Sequence, residues 1–386
     1  MTDVIDAPAP AGPATRQRII SADSHVKITH RQIKEHLAER YHQDYDEAVA
    51  AFGERMRRGA AAANQQGMTM KATATAKPEP AKAEPRVGGE NAVFSRPGYG
   101  DGAERLKDMD ADGVDVEVIY SEVSAFRYIG DLKSGANEST VAFNSVLSEF
   151  AAPDPDRLVV SYQIPIGDID FAVSEVQRVA AFGGKSLQLP VFPNEIGLPE
   201  YFDQRYDPLW SAISEAGLPI CCHIGLNTNL DSLTQRDPTP QKGVMVPMAG
   251  LSCGEAFGMW ILTGVLERYP DLKLVFVEPG LGWVAWWLYI VDDMVQRQGY
   301  QFPELTELPS TYFHRQVHLT FIDEPDGVQL LRHRLGVRNI MWSSDFPHPV
   351  TSWPRSQEVI AASFLGVPED EKRLMLCENA ERVWNL

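Results

Sequence analysis

A chain of 386 residues, 44% hydrophobic and 23% charged, carries enough apolar material for a sizeable core, and its length allows one large barrel or two smaller domains. A formal net charge of −18 repels phosphate backbones and anionic lipid, which excludes nucleic acid and membrane surfaces as general partners and leaves a small molecule as the expected substrate. The four cysteines lack metal-finger spacing and the density of a disulfide scaffold, and no secretory or membrane-spanning apolar run occurs, so a cytoplasmic protein with reduced thiols is expected.

In chain order, residues 1–17 are rich in Ala, Pro and Gly and read as a disordered leader ahead of one domain over 18–386. The first strand is RIISADSH (18–25). A low-complexity stretch at about 59–90, nearly free of bulky apolar residues, cannot offset its ordering entropy by burial and reads as a flexible insertion. Seven further strands follow: VEVIY (116–120), LVVSYQIP (158–165), SLQLP (186–190), PICCHIG (219–225), KLVFVEPG (273–280), VHLTFID (317–323) and NIMWSSD (339–345). Helical patterns lie between them, among them 103–112, 138–151, 170–182, 206–216, 255–269, 281–297 and 326–335, and a helical tail spans 355–384. Eight strands interleaved with helices predict an α/β fold, a distorted (β/α)8 TIM barrel with loop insertions after strands 1 and 5.

Barrel enzymes build their sites at the C-terminal ends of the strands, and the polar residues of this chain fall there. Asp23 and His25, two apart on strand 1, share a face; His223 ends strand 5, Glu278 strand 6 and Asp345 strand 8. Singly, each has an ordinary explanation, such as a core histidine or a turn-forming aspartate. Their joint placement is hard to obtain from packing, because a barrel interior otherwise prefers Val, Ile and Leu. Imidazole plus carboxylate suits one divalent metal ion, Zn2+ first, with Fe2+ or Mn2+ as alternatives.

The ordered set ISADSHV, RLKDMDADGVDVEVIY, DPDRLVVSYQIP, YDPLWSAISEAGLPICCHIG, GVLERYPDLKLVFVEPGLGWV, IMWSSDFPHP and ENAERVWNL resembles the amidohydrolase-related proteins of the aminocarboxymuconate-semialdehyde decarboxylase type, over most of 18–386. The resemblance implies a distorted TIM barrel whose metal ligands, carried over, are Asp23, His25, His223 and Asp345, and it implies a homodimer. Two departures stand out. Strand 1 carries Asp-x-His where decarboxylases of this type have His-x-His or Glu-x-His, and strand 6 carries Glu278 where they have a catalytic histidine. Strand 4, SLQLP, offers no lysine to bridge two metals, so one metal is expected.

The chemistry expected from these residues is hydrolysis of a small ester, lactone, amide or thioester by metal-activated water, with Glu278, on the face of Leu274, as proton shuttle. Decarboxylation is the alternative, and it requires an acid to protonate the carbanion, a role glutamate takes only if burial raises its pKa. A barrel that binds metal or ligand without catalysis is a third possibility. His348, three residues past Asp345, is expected to orient that ligand or touch substrate. Trp283 is a candidate wall of an aromatic pocket, and Arg127 and Arg315 are candidates to grip a substrate carboxylate.

Overall fold

The computed structural model describes residues 16–55, 57, 94–121, 124–225, 230, 233, 236–239 and 243–386. Eight parallel strands run in sequence order around one sheet: β1 Ile20–Val26, β2 Val116–Ser121, β3 Leu158–Gln163, β4 Ser186–Gln188, β5 Ile220–His223, β6 Leu274–Val277, β7 Val317–Phe321 and β8 Ile340–Trp342. Every residue of every strand is buried, as in parallel sheets covered on both faces, which is why the strands read as near-continuous apolar runs. The helices between them have legible ends. Asp101 accepts the Glu104 N–H at 3.0 Å to open Gly102–Asp112, and Gly113, left-handed at φ 75, closes it.

The barrel closes between β1 and β8 through a seam rather than a regular ladder. Asp345 N–H donates to Asp23 O at 3.0 Å and His25 N–H to Phe346 O at 2.6 Å, while Ser21 Oγ accepts the Ser344 N–H at 2.8 Å. β1 is irregular between Ser21 and Ser24, where its register on β2 shifts. This distorted (β/α)8 barrel carries its longest connections between Val26 and Val116 and between His223 and Leu274. Its interior is lined by residues such as Ala22, Val118, Val159, Val275 and Met341, and Val383 and Trp384 of the C-terminal tail pack against them and close the floor.

The expected insertion at 59–90 lies outside the described residues, as do 1–15 of the expected leader; Arg16 is described, and its guanidinium donates to Gly113 O at 2.7 Å. Helices at His30–His36, Ser124–Gly130, Val246–Leu251 and Pro309–Gln316 lie outside the segments named from the sequence, although Pro309 at the first position of the last is a start signal. All four cysteines are buried free thiols, and among the described residues no helix is long and apolar enough to cross a membrane.

Candidate metal centre

Six titratable side chains converge where the barrel closes. Asp23 and His25 come from the end of β1, His223 from the last residue of β5, Glu278 from the residue after β6, and Asp345 and His348 from the turn after β8. Two of these carboxylates depend on unusual backbone: Glu278 (φ 62) and Asp345 (φ 51) are left-handed, at about 1–2 kcal/mol each for an L-residue. In β6 the barrel-lining residues are Val275 and Val277, whereas Leu274 and Phe276 pack toward the helices. Glu278 therefore does not share the face of Leu274, as alternation along the sequence suggested; the left-handed turn delivers it to the mouth. Thr320 Oγ1 on β7 accepts the Glu278 N–H at 2.8 Å and pins that turn.

The cluster is buried and short of partners. His25 Nε2 lies 3.4 Å from Asp23 Oδ1 and 3.1 Å from Asp345 Oδ1, and His223 Nε2 lies 3.5 Å from Asp23 Oδ1. Neither carboxylate oxygen of Asp23 or Asp345 accepts a hydrogen bond, and Nε2 of His25 and of His223 has no hydrogen-bond partner. Leaving two fully buried carboxylates uncompensated costs several kcal/mol each, so the donor set calls for a cation at its centre. The ligand atoms fall into three overlapping groups, Asp23/His25/His223, His25/Asp345/His348 and Asp23/Glu278/Asp345, each within 4.8 Å. Because the groups share members, they define one divalent-metal site. His223 Nδ1 lies 2.7 Å from Ile224 O and donates to it, which leaves Nε2 as the free ligand atom. Strand β4 contributes Gln188, hydrogen-bonded to Ser121, and no lysine.

The electrostatics follow from this crowding. Burial opposes charging of His223, but the Asp23 carboxylate outweighs it and pulls the imidazole up to about 10; ligation needs the neutral ring, so a bound cation and this proton compete. His25 is pushed down by burial and by neighbouring His348. Burial, and Asp345 beside it, push the Glu278 carboxyl up to about 8, with His223 and His348 pulling the other way. His348 resists burial through Asp345, whose Oδ1 is 2.9 Å from Nδ1; its ring lies 3.8 Å from that of His25, and its net shift is upward.

A cavity of about 500 Å3 opens over the cluster, lined by His25, Ser121, His223, Glu278 and His348 and by Met245, Val246, Pro247, Ala249 and Gly250. Three expected substrate contacts are not among its lining residues. Arg127, on the helix Ser124–Gly130, is bonded to Glu195. Arg315 precedes β7, at the opposite end of the barrel, and donates to Leu266 O at 3.0 Å. Trp283 stacks on Phe257 with ring centroids 5.5 Å apart and donates to Pro279 O at 2.8 Å, which makes it helix-to-barrel packing. Sequence reading passed over Thr320, Ser121 and the Met245–Gly250 wall. For Thr320 the signal was present, since it alternates with His318 on the inner face of β7.

The fold and this cluster define a metal-binding α/β barrel, and the chain belongs to the amidohydrolase family, which matches residues 23–386. It is 31% identical over 261 residues to a gamma-resorcylate decarboxylase of Rhizobium radiobacter, covering 63% of this chain and 76% of that one. Among solved structures it resembles an amidohydrolase from Mycobacterium avium subsp. paratuberculosis (TM-score 0.73, 19% identity, 97% and 99% of the two chains). It also resembles a 5-carboxyvanillate decarboxylase from Novosphingobium aromaticivorans complexed with manganese and 4-hydroxy-3-methoxy-5-nitrobenzoic acid (TM-score 0.70, 18% identity, 97% and 98%).

These findings correct the expected hydrolase: the curated relatives that match are gamma-resorcylate decarboxylases, which favours the alternative, decarboxylation, over hydrolysis.

Proposed function

We propose that the protein is a metal-dependent, non-oxidative decarboxylase of a small hydroxylated aromatic carboxylic acid. The observation that carries this reading is the 31% identity to a gamma-resorcylate decarboxylase, in a chain whose own buried Asp and His ligand atoms lack hydrogen-bond partners. Asp23, His25, His223 and Asp345 hold the ion, for which we favour manganese over the zinc first expected, because the manganese-containing 5-carboxyvanillate decarboxylase shares the fold. When bound, the ion supplies a positive charge that anchors the substrate carboxylate and an adjacent oxygen. Met245–Gly250 cover the mouth and limit water around the ring. As the carbon–carboxylate bond breaks, carbon dioxide leaves and the electron pair stays on the ring carbon. Glu278 delivers its carboxyl proton to that carbon and is then reprotonated from solvent. The requirement for a glutamate with raised pKa is met by its burial beside Asp345. His348, whose Nδ1 lies 2.9 Å from Asp345 Oδ1, steers that ligand's orientation electrostatically. A second copy of the chain is the partner we expect.

The test is turnover of a panel of hydroxybenzoates by manganese-loaded protein in heavy water. Expected are carbon dioxide and a phenol bearing one deuterium at the vacated carbon. No carbon dioxide from any member of the panel, together with oxygen-18 incorporation from labelled water into the acid product of an ester or thioester, overturns the reading.

A further inference from the structure

Beside the ligands, outside the cavity's lining, lies an arginine that no part of the chemistry uses. Arg105, in the helix Gly102–Asp112, is fully buried, and all three of its donor nitrogens are committed. Nε donates to Gly98 O at 2.7 Å, Nη1 to Glu117 Oε2 at 2.7 Å, and Nη2 to the backbone carbonyl of His25. Its guanidinium carbon stands 4.4 Å from the ring centre of Phe346, the residue after Asp345. Phe346 in turn accepts the His25 N–H at 2.6 Å. The backbone of His25 is thus held at both its N–H and its carbonyl, and one guanidinium touches both segments of the seam that carries three of the four ligands. Gly98 is required for this approach: a Cβ there would stand 3.0 Å from the Arg105 Cα and 2.3 Å from Asp108 Oδ2.

We infer that Arg105 is a positioning residue for the metal centre, setting His25 and Asp345 in register across the barrel seam through the His25 carbonyl and the Phe346 ring. A buried ion pair with Glu117 alone would need no planar fork; the third donor on His25 O and the ring face do. Lysine cannot reproduce them, since its ammonium has no plane to lay on the ring and cannot span three acceptors in fixed geometry.

The inference rests on the metal-site reading but not on the reaction, and the test separates them by using Mn2+ alone without substrate. Chelator-stripped parent protein, Arg105→Lys, Arg105→Gln and the neutral pair Arg105→Gln with Glu117→Gln are titrated with Mn2+ calorimetrically, and melting temperatures are recorded in parallel. Arg105→Lys keeps the buried charge opposite Glu117, and the double variant removes both charges, so the two perturb the fold in different ways. We expect Mn2+ affinity to fall about 10–100-fold in each folded variant, the usual effect of removing a group that orients metal ligands. The double variant should recover melting temperature relative to Arg105→Gln alone without recovering affinity, which a purely structural ion pair would not produce. Affinity within twofold of the parent in any folded variant overturns the inference, as does affinity that rises and falls only with melting temperature. Absence of Mn2+ binding by the parent refutes the metal site itself.

Discussion

The two ends of the barrel bury polar groups in opposite ways. At the floor, Ser186 donates to Ser161 Oγ at 2.9 Å and accepts the Trp384 indole N–H at 3.1 Å, so its hydroxyls are spent on each other. At the mouth, four carboxylate oxygens and two imidazole nitrogens are buried without hydrogen bonds, whereas at the floor the histidine nitrogen that lacks one, His318 Nδ1, has no carboxylate against it. The histidines make the contrast sharper. His318 and His223 both end up inside the barrel, yet burial and the nearby Arg382 and Lys273 hold His318 down to about 3, whereas Asp23 holds His223 up to about 10 despite burial. Burial alone therefore does not mark a site. Burial among uncompensated charges of the opposite sign does, because only a ligand can balance them.

The largest effect should come from emptying the mouth of its donors. His223→Ala or Asp345→Ala should take the protein from about one metal per chain to near none by elemental analysis, and lower activity by about 10³-fold or more, the equivalent of about 4 kcal/mol of lost charge stabilisation. Retained metal in both variants would mean that other residues hold the ion. Glu278→Gln keeps shape but carries no transferable proton, so turnover should fall about 10²–10⁴-fold while metal content persists. Loss of metal in that variant would move Glu278 from acid to ligand.

How far the sequence foretold this contrast depends on the residue. The eight strands were legible because each is buried on both faces and reads as an apolar run, and Asp23, His25, His223 and Asp345 stood out because they interrupt such runs at strand ends. Glu278 was picked out for a reason that does not hold, since its route to the mouth runs through a left-handed turn that alternation cannot foresee. Arg127 finds Glu195, 68 residues away, a pairing invisible without the fold. Arg315 was avoidable: it sits before its strand, at the end where barrels do not place sites. The reaction was legible only as the alternative, because the same ligand set serves water activation and carboxylate anchoring and a glutamate stands where the resembled decarboxylases have a histidine; the curated relatives tip the balance to decarboxylation.

A smaller effect tests the floor. His318 has a folded pKa of about 3 against an ordinary value of 6.5, a depression caused by burial and by Arg382 and Lys273. Its contribution to stability is therefore present above about pH 6.5 and is lost as pH falls from there toward 3, because the unfolded chain takes up a proton that the folded chain refuses. Between about pH 7.5 and about pH 5 the loss is about 2 kcal/mol. Denaturant melts at both pH values, for the parent and for His318→Gln, isolate this contribution, since the remaining groups titrate alike in the two proteins. The variant should lose about 2 kcal/mol less on acidification. Equal losses would show that the floor histidine is not held neutral, and the contrast between the two ends would rest on hydrogen bonding alone.

The smallest effect concerns the wall that covers the mouth. Gly250, in the short helix Val246–Leu251, lies so close to the turn after Glu278 that an added Cβ would stand 2.6 Å from Pro279 O and 3.1 Å from its carbonyl carbon. Both atoms are backbone, so Gly250→Ala must push the wall and the Glu278 turn apart. Gly258, in the helix Cys253–Leu262, provides the opposite case, because a Cβ there meets only Leu262 Cδ1 at 3.9 Å. Alanine at 258 should leave kinetics unchanged and raise stability by up to about 1 kcal/mol through helix propensity. Alanine at 250 should raise KM about fivefold, about 1 kcal/mol of lost substrate contact, with metal content and the solvent-derived deuterium in the product unaltered. If kcat falls instead and KM is unchanged, the contact serves to aim the Glu278 proton rather than to hold the ring, and the wall belongs with the acid rather than with the substrate.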